Sequence, residues 1–169
     1  MKKTVSFLLI AMMLFSLGAC TLQGSDIIEP VEFYYQRTEY SYGGADGVIA
    51  PEIREASGHA GDLPYLLALY LRGPLDSSLK APFPTDSKIL SFYLDGKTLS
   101  VTLDSTFASL QNMELTLACA CFARTCFSLA DVAQVQITAL TPDDTPSLDI
   151  TISADSLLLE DISSMDVSE

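Results

Sequence analysis

Apolar and polar residues alternate most cleanly between Lys88 and Asp104. Leu90, Phe92 and Leu94 precede Asp95-Gly96, and Leu99, Val101 and Leu103 follow it. A period of two marks a strand with one buried face, and Asp-Gly between two such runs predicts a β-hairpin, the glycine taking the positive φ of a type I′ turn. The same alternation predicts strands over Val31 to Tyr40, Val48 to Ala56, Val132 to Leu140 and Leu148 to Ser153, the last two forming a second hairpin. Pro51 confines its strand to an edge or a bulge, with Glu52, Arg54 and Glu55 facing solvent or pairing across strands.

Helical spacing replaces alternation in two places. Leu63, Leu66, Leu67, Tyr70 and Leu71 form a stripe behind Asp62, a natural N-cap, with Pro64 early and Gly73-Pro74 closing the segment. A longer helix is predicted from Leu110 to Leu129. It is apolar almost all round, which implies cover on more than one side, and Arg124 marks its exposed face. The expected fold is therefore α/β (α+β): a small mixed or antiparallel sheet carrying two helices on the central hairpin.

The chain ends fall outside this pattern. Lys2 and Lys3 precede a short apolar run that closes in Leu17-Gly18-Ala19-Cys20, with the basic and apolar regions of an export signal too short for an ordinary membrane span. Leu17 to Cys20 resembles the lipobox of bacterial lipoproteins, which implies cleavage before Cys20, its acylation, and residence on the outer face of the cytoplasmic membrane. The chain divides into a signal over 1–19, a tether over 20–30, one domain over 31–159 and an acidic tail over 160–169. Lys2 and Lys3 leave with the signal and no acid does. Seven basic residues then face 22 acidic ones, a formal charge of −15. Such a surface repels nucleic acid and anionic lipid, so membrane contact falls to the acyl chain.

The chemical inventory is sparse. His59 is the single histidine and lies in a glycine-flanked loop, so neither a two-histidine metal site nor a convincing triad can be assembled. Gly43-Gly44 lacks the lysine of a phosphate-binding loop. Cys119, Cys121 and Cys126 read as small buried hydrophobes: on a helix the outer two stand about 10 Å apart along the axis, beyond disulfide reach, and no metal-ligating partner lies among them. No catalytic, cofactor or metal residue is expected. Asp62 and Asp104 as an acid pair are the remaining hydrolase reading, without a motif to support it. Tyr34, Tyr40 and Tyr42 lie on or near a sheet edge and form the candidate partner surface.

The elements also occur in a recognisable order. A helix ends in Leu71-Arg72-Gly73-Pro74; Pro82-Phe83-Pro84 and the hairpin follow; Val101-Thr102-Leu103-Asp104-Ser105-Thr106-Phe107 leads to the long helix and then to Val132-Ala133-Gln134-Val135-Gln136-Ile137. This order resembles the GerMN domain, the sporulation and spore germination module of Firmicutes lipoproteins, over about residues 60 to 140. Relatives often carry V-D-L-S where this chain has Val101-Thr102-Leu103-Asp104, and some have two copies where one is found here. The resemblance implies a module similar to ring-building domains of secretion-like assemblies, without known catalytic residues or cofactor, whose partners are envelope proteins. The expected role is a non-enzymatic, lipid-anchored scaffold. The alternative is a cell-wall or small-ligand-binding lipoprotein that uses the tyrosines as stacking surfaces.

Overall fold

A computed structural model describes residues 29–40, 47–56 and 58–157. The expected α+β class holds, with the strands divided between two sheets. Strands β1 (Pro30–Arg37), β2 (Ile49–Glu55) and the short β3 (Leu79–Lys80) form an antiparallel sheet in the order β2-β1-β3. Strands β4 (Ile89–Asp95), β5 (Thr98–Leu103), β6 (Gln134–Leu140) and β7 (Pro146–Ser153) form the second, in that order, with β5 and β6 parallel. Helix α1 (Leu63–Leu71) precedes the second sheet. The one-turn α2 (Ser105–Ala108) and the long α3 (Asn112–Leu129) make the β5–β6 crossover, since parallel neighbours need a long connection.

Helix α3 is the centre of the molecule. Ala118, Cys119, Cys121, Phe122, Ala123, Thr125 and Cys126 are all buried, and the helix lies against β1 on one side and β6 on the other. This explains its apolarity all round: it is covered by both sheets, and its alanines and cysteines let both backbones approach. Phe33, Tyr35, Leu66, Tyr70, Phe122, Val101 and Ile137 belong to the one core that results. Arg124, expected in solvent, is half-buried with its guanidinium 4.6 Å from the centre of the Tyr34 ring.

Local signals explain most boundaries. The Asp62 side chain accepts from the Tyr65 N–H at 3.2 Å, satisfying an otherwise free donor of the first turn of α1. Gly73, at φ +85°, ends the helix in the left-handed conformation that glycine adopts without steric cost. The predicted second helix is α3, which begins at Asn112, whose φ is +51°, two residues after the expected Leu110. The connection before it holds the one-turn α2, which Asp104 caps through the Phe107 N–H. The apolar run Leu157 to Leu159 reads as a segment that could close the sheet, but Leu157 ends a 3-10 turn over Ala154–Leu157, and Leu158 and Leu159 lie outside the described residues.

The central hairpin differs in its turn. Asp95 pairs with Thr98 and Leu94 with Leu99, so the two loop residues are Gly96 and Lys97 rather than Asp95 and Gly96. Gly96 has φ +57° and Lys97 is not left-handed, the glycine-first pattern of a type II′ turn. Leu99, Val101 and Leu103 are buried with Val135, Ile137 and Ala139 of β6. The opposite face carries Ser100, Gln136 and Asp149 in a chain of hydrogen bonds across three strands, each 3.1 Å long.

Candidate functional site

Among the described residues β4 is an open edge of the four-stranded sheet, and natural edges of this kind often carry charge or proline. Here four large apolar side chains stand in the open instead: Leu90 is 52% exposed, Phe92 40%, Tyr93 67% and Leu94 49%. The cause lies in the register. Ile89 pairs with Leu103 and Ser91 with Thr102, leaving Leu90 as the extra residue of a β-bulge. Phe92 and Leu94 do pair with the buried Val101 and Leu99, yet they lie beyond the cover of α3, which packs on β6. The sequence expectation that Leu90, Phe92 and Leu94 all face the core is thus corrected by the bulge and by the position of the strand.

Beside this edge, a groove of about 690 Å3 runs between β4 and α1. Pro64, Leu67 and Leu71 form the helical wall, and the consecutive residues Ser87 to Phe92 form the other. Consecutive strand residues point to alternate faces, so a groove lined by six in a row follows the strand edge rather than one face. Among the described residues Lys88 is the only charged one that lines it. Ser87 is buried, and its Oγ is a buried side-chain polar atom without a hydrogen-bond partner among the described residues.

A second cluster is polar, buried and structural. Glu52 and Arg54, expected in solvent or paired across strands, sit opposite Phe33 and Val31 on the core face of β2 and pair with each other along the same strand. Arg54 Nε donates to Glu52 Oε2 at 2.6 Å, and Arg54 Nη2 donates to the Gly73 carbonyl at 2.6 Å. Glu52 Oε1 accepts from the N–H groups of Leu75 and Asp76 at 2.6 and 2.7 Å. The Tyr35 hydroxyl donates to the Tyr70 carbonyl at 2.8 Å. Together these groups clip the end of α1 and the Gly73–Asp76 turn onto the first sheet, and their burial requires that mutual satisfaction. Desolvation pushes the Tyr35 phenol well above its ordinary range.

The tyrosine surface is partly engaged. Tyr34 faces away from the core, half-buried beneath Arg124, and its hydroxyl donates to Glu32 Oε2 at 2.8 Å. Desolvation, then Glu32, raises its pKa. Tyr40 is half-buried, while Tyr42 and Cys20 lie outside the described residues. His59 is exposed, stacked on Tyr65 with centroids 4.2 Å apart, and its Nδ1 is 3.5 Å from Asp62 Oδ2. Asp62 and Asp104 act as N-caps of different helices. Pro51 lies, as expected, on an edge strand, β2.

Cys119, Cys121 and Cys126 are free thiols in the buried body of α3. Burial pushes Cys119 up to about 11 and Cys121 to about 12, and raises Cys126 as well. The thiolate is the reactive form, so folded protein at pH 8 should leave these three unlabelled by iodoacetamide and unfolded protein should expose all three. Rapid labelling of any one in native conditions would contradict this packing. A raised thiol pKa also means that the folded state holds its proton longer. Stability from these groups is full below about pH 8.5, the unfolded thiol value, and declines as pH rises towards 11 and 12.

The open β4 edge escaped the sequence reading because a bulge leaves no residue signature as plain as alternation. The one available hint was Leu90 directly after Ile89, two large apolar residues in succession. No family model matches the chain, and no curated protein matches it. Among solved structures, the chain is similar to a "Putative Lipoprotein from Clostridium perfringens" at 17% identity and a TM-score of 0.42, over 78% of this chain and 93% of that one.

Proposed function

We propose that this chain is a lipid-anchored, extracytoplasmic, non-enzymatic interaction module, held through Cys20 on the outer face of the cytoplasmic membrane and docking to envelope proteins. A GerMN-like part in a sporulation or germination assembly is the finer form of this reading, supported by the order of motifs from Leu71 to Ile137. One observation carries the interaction role: an edge strand without charge or proline from Ile89 to Leu94, exposing Leu90, Phe92, Tyr93 and Leu94 beside an apolar groove. Unpaired strand edges with exposed apolar side chains are pairing surfaces, and contiguous apolar exposure on a folded domain marks association.

Two measurements test the two halves. Metabolic labelling with a fatty-acid analogue should mark the wild type and not Cys20→Ala, which should also accumulate as the longer, unprocessed chain; equal labelling removes the anchor. A photo-crosslinking residue at Tyr93 should capture an envelope protein in cells, whereas the same residue at Thr151, exposed on the polar sheet face, should not. Equal capture from both positions would count against β4 as the docking edge.

A further inference from the structure

We infer that the groove between α1 and β4 captures the extended C-terminal end of a partner polypeptide, as an apolar strand antiparallel to β4 whose terminal carboxylate meets Lys88. The inference rests on the interaction reading of this same edge and specifies its occupant.

Four features select a strand end. The groove is bounded by a strand edge on one side and a helix on the other, so it accepts a single strand whose main chain pairs with β4. The six lining residues Ser87 to Phe92 extend roughly 20 Å at strand rise, a length suited to five or six extended residues. The walls Pro64, Leu67, Leu71, Ile89, Leu90 and Phe92 are apolar and offer contacts to alternate side chains. The fourth feature is charge.

Among the described residues Lys88 is the only charged one lining the groove; it stands immediately before β4 and takes part in none of their ion pairs. A strand running antiparallel to β4 reaches Lys88 with its last residue, which places a carboxylate at the ammonium. A second copy of this chain is a poorer occupant. Two such acidic bodies, each of formal charge −15 once the signal is removed, repel, and each would have to bring an entire sheet into a groove walled by a helix.

The test uses the full-length protein in detergent micelles, panned against random heptapeptides displayed with free C-termini. Alternating β-branched and apolar sequences with an apolar last residue should be enriched. The best peptide, synthesised as acid and as amide, is then titrated by fluorescence anisotropy. Amidation should weaken binding about tenfold to a hundredfold, the worth of a hydrogen bond to a charged group. Lys88→Met should show that same loss with the acid and no further loss with the amide, since the two changes remove one interaction. Leu90→Asp, at an exposed position that should not unfold the domain, should reduce binding more than tenfold, whereas Thr151→Asp should leave it unchanged.

Equal affinity of acid and amide would overturn the inference, as would enrichment that persists with Leu90→Asp. If a residue at Tyr93 crosslinks an envelope protein while no peptide is enriched, the docking edge survives and strand capture fails. If neither occurs, both fail.

Discussion

Arg54→Met should cost about 3–5 kcal/mol of unfolding free energy, because it leaves the Glu52 carboxylate buried without its counter-charge. The loss falls on more than the ion pair. Arg54 also closes the end of α1 by donating to the Gly73 carbonyl, and its guanidinium lies 5.1 Å from the Phe33 ring centroid and 5.7 Å from that of Tyr35. A positive charge near a helix C-terminus is further favoured by the helix dipole. Arg54→Lys should not rescue fully, since an ammonium cannot fork between Glu52 and Gly73 as the guanidinium does. Glu52→Gln combined with Arg54→Met should recover a substantial part of the loss: the uncompensated charge disappears while one side-chain oxygen stays to accept from Leu75 and Asp76. Urea unfolding at pH 7 measures all three, and the single variant should lower Tm by about 10 °C or more. A loss below about 1 kcal/mol for Arg54→Met would place the pair among those of little net worth.

That cluster also shows where the sequence stops being legible. In Pro51-Glu52-Ile53-Arg54-Glu55, charge at every second position reads as a solvent face, and the isoleucine between as core. The structure reverses the two faces: Ile53 is 67% exposed, while Glu52 and Arg54 are each 8% exposed. The reversal depends on carbonyl and N–H groups at Gly73, Leu75 and Asp76, some twenty residues away, and a local hydropathy pattern contains no such information. Signals carried within a few residues were readable. Asp62, the Leu66–Tyr70 stripe, Gly73 and the alternation of β5 and β6 all appear where expected. The apolarity of α3 announced that it would be covered, though not that it, rather than the β4–β5 hairpin, would stand at the centre between two sheets. The candidate site was the least legible part, because one inserted residue in β4 and the lateral reach of α3 together decide which leucines are exposed.

The other large effect concerns how β1 is sealed where the two-residue β3 leaves its edge uncovered. Tyr34 pairs with Pro51 across one side, and its remaining main-chain groups are met by side chains: its N–H donates to Thr125 Oγ1 at 2.9 Å, and its carbonyl accepts from the Tyr70 hydroxyl at 3.1 Å. Two helices thus supply what a neighbouring strand would. Thr125→Val keeps the shape of the side chain and leaves a donor unpaired; Tyr70→Phe keeps the stack on Tyr35, with centroids 4.9 Å apart, and leaves an acceptor unpaired. Each should cost about 1–3 kcal/mol, the penalty of orphaning a buried polar group rather than the smaller net worth of one hydrogen bond. The Thr125 and Tyr70 hydroxyls bond the main chain of the same residue, Tyr34, so the double variant should cost less than the two singles added. Alkaline pH separates this role from packing. Desolvation holds the Tyr70 phenol well above its ordinary value, so its contribution is complete below the unfolded value near pH 10 and is lost as pH rises beyond it. Tyr70→Phe removes one such proton, so its stability should fall less steeply than the wild type's above about pH 10, whereas Thr125→Val should retain the steep fall. Parallel alkaline curves for wild type and Tyr70→Phe would mean that the phenol ionises freely in the folded chain, and a seal built on its proton would then have to open at the same pH.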